Sequence, residues 1–407
     1  MLLLDRLLKR LVRDGELVVT AANRRVYRYG RPHPRLARVA IHFTDAMTPH
    51  RIAFNPALAA AEAFMDGRLQ FTEGGIADLL DLVAMNARWS DGNGFRVALW
   101  RSQQFAARLY QANYRRAAKR NVAHHYDLSD RLYDLFLDAD RQYSCAYYTD
   151  PANSLESAQR DKKAHIAAKL ALEPGQRVLD IGCGWGGMAL YLNRVAGVDV
   201  TGITLSEEQL KVARRRAEEA GVADKVRFEL IDYRDITGPF DRIVSVGMFE
   251  HVGLPNYRKF FGKIRDLLSK DGVALVHSIG RADGPGATDP FTAKYIFPGG
   301  YSPALSEVVP AIEREMLWIT DVEVLRLHYA YTLAEWLRRT EAAKAEIVAL
   351  YDERFYRMWT FYLAAAHGAF RHDGHMNIQV QLTRRRDTLP ITRDYMAAAE
   401  ARYREAG

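Results

Sequence analysis

A chain of 407 residues is too long for one ordinary hydrophobic core and, at 48% hydrophobic residues, is rich enough to fill two. Its two cysteines, Cys145 and Cys183, can build no disulfide framework and fit no zinc-site spacing, which suggests a reducing cytoplasm, and no apolar run approaches the roughly 20 residues that span a bilayer. The net charge of +7 is uneven: residues 1–125 hold 20 Lys and Arg against 10 Asp and Glu, so a basic front precedes a slightly acidic remainder.

Met1 to Val12 is apolar but broken by Asp5, Arg6, Lys9 and Arg10. Without a continuous apolar stretch or a small-residue cleavage site, it does not read as a signal peptide. Leu4, Leu7, Leu8 and Leu11 share one helical face. That predicts a helix facing a core, with a basic helix lying on a membrane surface as the alternative. Glu16 to Thr20 and Arg38 to Phe43 alternate as strands do. Pro56 to Asp66 and Gly75 to Ala87 carry helical spacing. Residues 1–112 therefore read as a helix-rich domain with a few short strands. Residues 113–124, with Tyr114, Arg115, Arg116, Lys119 and Arg120, read as a basic linker. A basic front suits an anionic partner surface. Its charges lack the interleaved aromatics of a single-strand groove and any nucleic-acid motif, so an anionic membrane surface is expected and a nucleic-acid partner is not.

From about residue 155 strands and helices alternate. Strands are predicted at 177–182, 198–204, 225–230, 240–246, 272–278, 321–328 and 376–383. Helices are predicted at 156–171, 186–196, 206–220, 256–269 and across 333–370. The early strands are apolar throughout, as in a parallel sheet covered on both faces. The last alternates Ile378, Val380 and Leu382, like a late antiparallel addition. Ligands of such sheets sit beyond the carboxyl ends of the strands. Asp180, Gly182, Glu250 and His277 all fall at or just past predicted strand ends, which argues for one shared pocket.

Residues 178–187 read Val-Leu-Asp-Ile-Gly-Cys-Gly-Trp-Gly-Gly, a strand running into a glycine turn and then a helix. Such a turn lets a ligand approach the backbone and the free N–H groups of the helix start. Gly182, Gly184 and Gly187 satisfy G-x-G-x-x-G, a weak signal alone. A dinucleotide site would also place an acid at the end of the second strand. Here that stretch is Thr201-Gly-Ile-Thr-Leu-Ser206, which has none. Asp180 before the glycines and the additional Gly186 instead resemble the class I S-adenosylmethionine (SAM) methyltransferase motif, with Asp232 following the third strand where such enzymes contact adenosine. The implied fold is α/β and Rossmann-like, a mostly parallel seven-stranded sheet with a smaller helix-rich N-terminal domain.

A more specific resemblance runs over about 125–335. His125-Tyr-Asp-Leu-Ser129, Tyr143-Ser-Cys-Ala-Tyr147, Val178 to Gly187, Gly202-Ile-Thr-Leu-Ser206 with Gln209, Gly247-Met-Phe-Glu-His-Val-Gly253, His277-Ser-Ile279, Lys294-Tyr-Ile-Phe-Pro-Gly-Gly300 and His328-Tyr-Ala-Tyr-Thr-Leu333 occur in order. Together they resemble the cyclopropane fatty acid synthase family, which includes the mycolic acid cyclopropane synthases. The basic front domain is similar to that of the two-domain bacterial phospholipid enzymes. The resemblance implies a catalytic domain over 125–407 and a lipid-binding or membrane-binding domain over 1–112. It implies attack by a cis double bond of a membrane phospholipid acyl chain on the methyl group of SAM, followed by proton loss and ring closure. It further implies a bicarbonate ion as proton acceptor, held by Cys145 (backbone), Glu250, His277, Ile279 (backbone) and Tyr329. Tyr329 is chosen over Tyr331 by its offset from Thr332-Leu333. The cofactor contacts it implies are Tyr143, Ser144, Gly182, Gly184, Thr204, Gln209, Asp232 and Tyr233, beside Asp180 of the motif. The expected location is the cytoplasm, peripheral on the inner face of the membrane.

Other residues read blandly. Cys183 suits packing, His251 a structural hydrogen bond, Tyr351 to Phe370 a buried helix, and Arg384-Arg-Arg386 a solvated strand end. His124 and His125 are adjacent and cannot face one ion from a helix. His367, His372 and His375 lack ligand partners beyond Asp373, so no metal is expected. A homodimer is one arrangement open to the chain, and the sequence does not decide it. Three further functions stay open: a C-methyltransferase on the same scaffold leaving a methylene, methyl-branched or other lipid; a non-catalytic lipid-binding protein; and an N- or O-methyltransferase for small polar substrates, which predicts a polar pocket and leaves the basic front unexplained.

Overall fold

The computed structural model describes residues 1–87 and 128–407. The linker expected at 113–124 and the first residues of the His125 motif lie outside the described residues. Two compact units emerge among the described residues: one gathers 1–87, 289–298 and 330–375, the other 128–288, 299–329 and 376–407.

The first unit holds a four-stranded sheet in the order β2-β1-β3-β4, with β1 Gly15–Thr20, β2 Val26–Arg31, β3 Val39–Phe43 and β4 Leu69–Glu73. β1 runs antiparallel to β2 and parallel to β3. The expected strands at 16–20 and 38–43 are β1 and β3. β2 and β4 escaped notice because each buries a single side chain, Tyr29 and Leu69, and so carries no apolar alternation. The helix Leu2–Leu11 buries Leu4 and Leu8, with Leu7 and Leu11 half-buried against the same cluster, as the core-facing reading expected. Asp5, beside that buried face, accepts from Tyr29 Oη at 2.9 Å.

The span 333–370, read as continuous helix and placed in the catalytic domain, is three helices: His328–Ala342, Lys344–Leu350 and Glu353–His372. The break falls at Asp352, whose carboxylate caps the third helix by accepting from Phe355 N at 2.6 Å. The third helix packs on Ile76–Asn86 and Pro56–Met65, so residues 330–375 join the first unit. Phe361 meets Phe64 and Phe291, and His372 reaches Asp81 at 2.6 Å. Period alone cannot say which of two cores a helix covers.

The second unit is built on a seven-stranded sheet in the order β10-β11-β9-β8-β5-β6-β7. Its strands are β5 Arg177–Ile181, β6 Asp199–Thr204, β7 Val226–Leu230, β8 Phe240–Val246, β9 Leu268–Arg281, β10 Trp318–Leu325 and β11 His375–Thr383. β5 to β9 pair in parallel, while β10 and β11 pair antiparallel. All seven expected strands are present. The tenth strand lies three residues earlier than expected, because His328 already opens a helix. Val178, Leu179, Ile243, Val244, Val273, Ala274 and Leu275 are no more than 1% exposed, the burial on both faces that their unbroken apolarity predicts. Helices Asp130–Phe136, Leu305–Glu313 and Asp394–Ala406 were not foreseen. Among the described residues no helix is long and apolar enough to cross a membrane.

Candidate cofactor and catalytic site

Four neighbouring strands, β8, β5, β6 and β7, end around one cavity. Gly182 to Trp185 line it after β5, Thr204 and Leu205 after β6, Ile231 to Arg234 after β7, and Val246 to Met248 after β8. All nine residues expected to touch a cofactor line it: Tyr143, Ser144, Asp180, Gly182, Gly184, Thr204, Gln209, Asp232 and Tyr233.

The glycine turn is shaped for close approach. Gly184 has φ +54°, and a Cβ there would meet nothing of the protein within 4 Å, so the space beside it is open. Gly187 begins the helix Gly187–Ala196, and a Cβ there would fall onto the Asp140 carboxylate and the Gln142 amide. Asp140 is itself paired with Lys163 and Arg216, and Arg216 also donates to Trp185 O at 2.9 Å. The segment before the turn is thus locked to it.

Asp180 is 2% exposed, its Oδ2 lacks a hydrogen-bond partner, and burial pushes its acid up to about 7 against the pull of Lys162. Thr204 Oγ1 donates to Gln209 Oε1 at 3.1 Å, and Ser206 caps the following helix. Asp232, expected at the adenosine, is gripped by Arg234, whose Nε donates at 2.8 Å. Tyr233 packs edge-on to Phe260, and burial raises its hydroxyl to about 12. Tyr143 and Trp185 are aromatic members of the lining. Tyr133 backs both, with ring centroids 5.6 Å from Tyr143 and 4.9 Å from Trp185.

The five residues of the expected anion site lie off this lining. Glu250, in the short 3₁₀ turn Phe249–His251 just past β8, is 8% exposed. Its Oε1 accepts from Ile279 N at 2.6 Å, and its Oε2 is buried with no hydrogen-bond partner. Burial raises its acid to about 7. His277, on β9 and 1% exposed, turns both ring nitrogens to β11, with Gln379 Nε2 at 3.1 Å from Nδ1 and Asn377 Nδ2 at 3.4 Å from Nε2. Burial lowers its pKa to about 3, so it is neutral, and one of its two amide neighbours must present oxygen to the ring N–H. Cys145 is fully buried, its thiol contacts Ala146 O at 3.3 Å, and burial raises its pKa. Tyr329, the second residue of its helix, is 7% exposed. Tyr148 N donates to His328 Nδ1 at 2.9 Å, and Tyr147 stacks on His328, which lays the Cys145 segment along the start of that helix. Glu250, Ile279 and His277 are linked through β9, while the stretch after Cys145 packs on His328, the residue before Tyr329.

Sequence reasoning passed over Gln142, Met248 and Arg234 as lining residues and read His251 as structural, and all four line the cavity. His251 is half-buried, and desolvation lowers its pKa to about 4. The sequence offered a signal only for those inside the quoted motifs, Met248 and His251.

The sheet order, the Asp180–glycine turn and the cavity across four strand ends define the scaffold of class I SAM-dependent methyltransferases. The solved structure of the mycolic acid cyclopropane synthase CmaA1 complexed with SAH and CTAB matches with a TM-score of 0.62 and 34% identity, covering 65% of this chain and 97% of that one. The family model for mycolic acid cyclopropane synthetase matches residues 113–380, and the chain belongs to that family. It is 44% identical over 265 residues to the cyclopropane-fatty-acyl-phospholipid synthase of Escherichia coli (strain K12), covering 65% of this chain and 68% of the relative. It is 45% identical over 257 residues to a protein of Pseudomonas putida named "Probable fatty acid methyltransferase", of which the match spans 65%.

Proposed function

We propose that this chain is an enzyme that adds a methylene group from SAM to a cis double bond of a phospholipid acyl chain, closing a cyclopropane ring. One observation carries the reading: a dry carboxyl, Glu250, stands beside the cofactor cavity with one oxygen fixed by Ile279 and the other unclaimed. Family membership supports the same chemistry.

SAM fits the cavity. The open space beside Gly184 admits its backbone-facing edge, the unpartnered Asp180 Oδ2 offers an acceptor, and Tyr143 and Trp185 offer faces to a sulfonium. Gly182, Gly184, Thr204 and Gln209 would hold it from the strand ends, Asp232 and Tyr233 from the adenosine end, and Tyr143 and Ser144 from the segment above. When bound, SAM supplies an electrophilic methyl group.

The alkene is a neutral nucleophile, so no base is needed to activate it. Methyl transfer moves a positive charge onto the acyl chain, and a water-poor site does not oppose that movement. The aromatic faces of Tyr143 and Trp185 stabilise such a cation. A proton must then leave the added methyl as the ring closes. Bicarbonate would supply the acceptor, held by the Cys145 backbone, Glu250, His277, the Ile279 backbone and Tyr329. Glu250 suits an anion because its acid, raised to about 7, keeps a proton that Oε2 can donate. His277 is buried and neutral, so it adds no charge of its own beside the anion.

The basic front would hold the enzyme on the anionic, cytoplasmic face of a membrane, where its substrate lies. The second reading, methylation without ring closure, is favoured by the Pseudomonas putida relative's name. Mass spectrometry of lipids from cells expressing the chain tests all of these. A ring adds one carbon and two hydrogens and resists hydrogenation. A methylene adds the same mass and is reduced, and a methyl branch adds two further hydrogens. Unchanged lipids would leave only a binding protein and sink the enzymatic reading.

A further inference from the structure

Lys162, on the helix Leu155–Lys169, is 0% exposed. Its Nζ donates to Gln142 Oε1 at 2.7 Å and to Ser144 Oγ at 2.8 Å. One turn earlier, Gln159, 1% exposed, donates its Nε2 to the main-chain oxygens of the same two residues, at 3.1 Å to Gln142 and 3.0 Å to Ser144. One helix face therefore grips this pair twice, by main chain through Gln159 and by side chain through Lys162. Gln142 and Ser144 both line the cofactor cavity.

An ammonium group only donates. Ser144 Oγ must accept from Lys162, which leaves the hydroxyl hydrogen to be donated elsewhere. Gln142 is likewise fixed, with Oε1 toward Lys162 and Nε2 toward Asp140 Oδ2 at 3.0 Å. Both contacts of the ammonium are neutral oxygens. The carboxylates that act on it are committed elsewhere: Asp138, the stronger, accepts from the Gln142 and Asp140 N–H groups, and Asp140 pairs with Lys163 and Arg216. A buried charge whose contacts are neutral is improved by an anion arriving beside it.

Strand order says which end of a ligand that anion belongs to. Asp232 and Tyr233 follow β7 at one end of the row β8-β5-β6-β7, whereas a Cβ on Gly247, just past β8 at the other end, would lie 3.9 Å from Ser144 Cβ. With adenosine at Asp232, the amino-acid end of SAM faces Ser144. We infer that Lys162 is a positioning residue for the cofactor's carboxylate: it turns the Ser144 hydroxyl hydrogen into the cavity and places a positive charge behind it. The inference rests on the SAM reading given above.

Calorimetric titration of the purified full chain with SAM and with decarboxylated SAM tests it, since the second ligand keeps the adenosine and sulfonium and lacks only the carboxylate. Lys162→Met should weaken SAM about tenfold or more and leave decarboxylated SAM within about twofold of wild type. Ser144→Ala, which deletes one hydroxyl and leaves the buried helix intact, should weaken SAM in the same selective way. Adding it to Lys162→Met should weaken SAM little further. Equal weakening of both ligands, or wild-type affinity for SAM in either variant, overturns the assignment. A wild-type chain that binds neither ligand overturns the cofactor reading itself.

Discussion

Glu250 and Ile279 are joined by one short hydrogen bond, the Ile279 N–H donating to Oε1 at 2.6 Å, while Oε2 of the same carboxyl has no hydrogen-bond partner. The peptide of β9 thus fixes which oxygen is spent and which is offered. Glu250→Gln can keep the Oε1 acceptor but cannot hold or release the proton at the second position. Product formation should fall about a hundredfold or more, the usual scale for a lost acid–base group, with SAM affinity unchanged because Glu250 does not line the cofactor cavity. Lipid mass spectrometry beside calorimetry reads both quantities. Near-wild-type turnover removes Glu250 from the reaction.

The same carboxyl gives stability a pH dependence. Its acid lies at about 7 in the folded chain, above the ordinary carboxylate value of 4.5. The folded chain holds a proton that the unfolded chain has released between those values. The stabilisation is complete below pH 4.5 and is lost as pH rises through 7. Glu250→Gln is neutral throughout and escapes that loss. Relative to wild type, the variant should gain about 1–3 kcal/mol between pH 4 and pH 8, measured by urea unfolding at each pH. An offset that does not change with pH would place the acid in its ordinary range.

The glycine turn was legible because its chemistry dictates its sequence: a strand that must stop, a backbone that must come close and a helix that must start cannot be written many ways. The parallel strands were legible because burial on both faces leaves continuous apolar runs. What escaped was set by tertiary contact. β2 and β4 each bury one side chain and look like loop in one dimension. Nothing in one dimension singles out Lys162 and Gln159 in the helix expected at 156–171, since charge and amide normally face water. Only the fold shows that Leu155–Lys169 is enclosed and that these two side chains point at Gln142 and Ser144. The motif around Tyr143-Ser-Cys145 could name Ser144 as a contact, but not what holds it.

Gly184 separates the demands of the fold from those of the ligand. A Cβ there meets no protein atom within 4 Å, yet φ is +54°. Gly184→Ala should therefore cost about 1–2 kcal/mol of stability from the left-handed backbone alone. Its methyl group would project into the open space that the cofactor needs, so SAM affinity should fall at least about tenfold. Thermal unfolding and calorimetry on the same sample give the two numbers. Wild-type affinity for SAM would move the cofactor away from this turn.

Membrane attachment should follow the basic residues ahead of the catalytic domain. Arg115, Arg116, Lys119 and Arg120 fall within six positions with no acid among them. They lie outside the described residues, so their charge alone carries the expectation. Each basic group near an anionic surface contributes about 1 kcal/mol, screened within a Debye length. Changing all four to Glu replaces attraction with repulsion and should weaken binding to anionic vesicles by at least about a hundredfold at low salt, with a smaller difference at high salt. Binding to neutral vesicles should change little, because no charge pairing is lost there. Sedimentation with vesicles of each composition at two salt concentrations measures this. Catalysis on a soluble short-chain unsaturated lipid should survive, since the cofactor cavity is built wholly from residues after 140. Anionic-vesicle binding that ignores the reversal would shift attachment to the remaining basic side chains of the front, among them Arg6, Arg10 and Arg51, which are exposed.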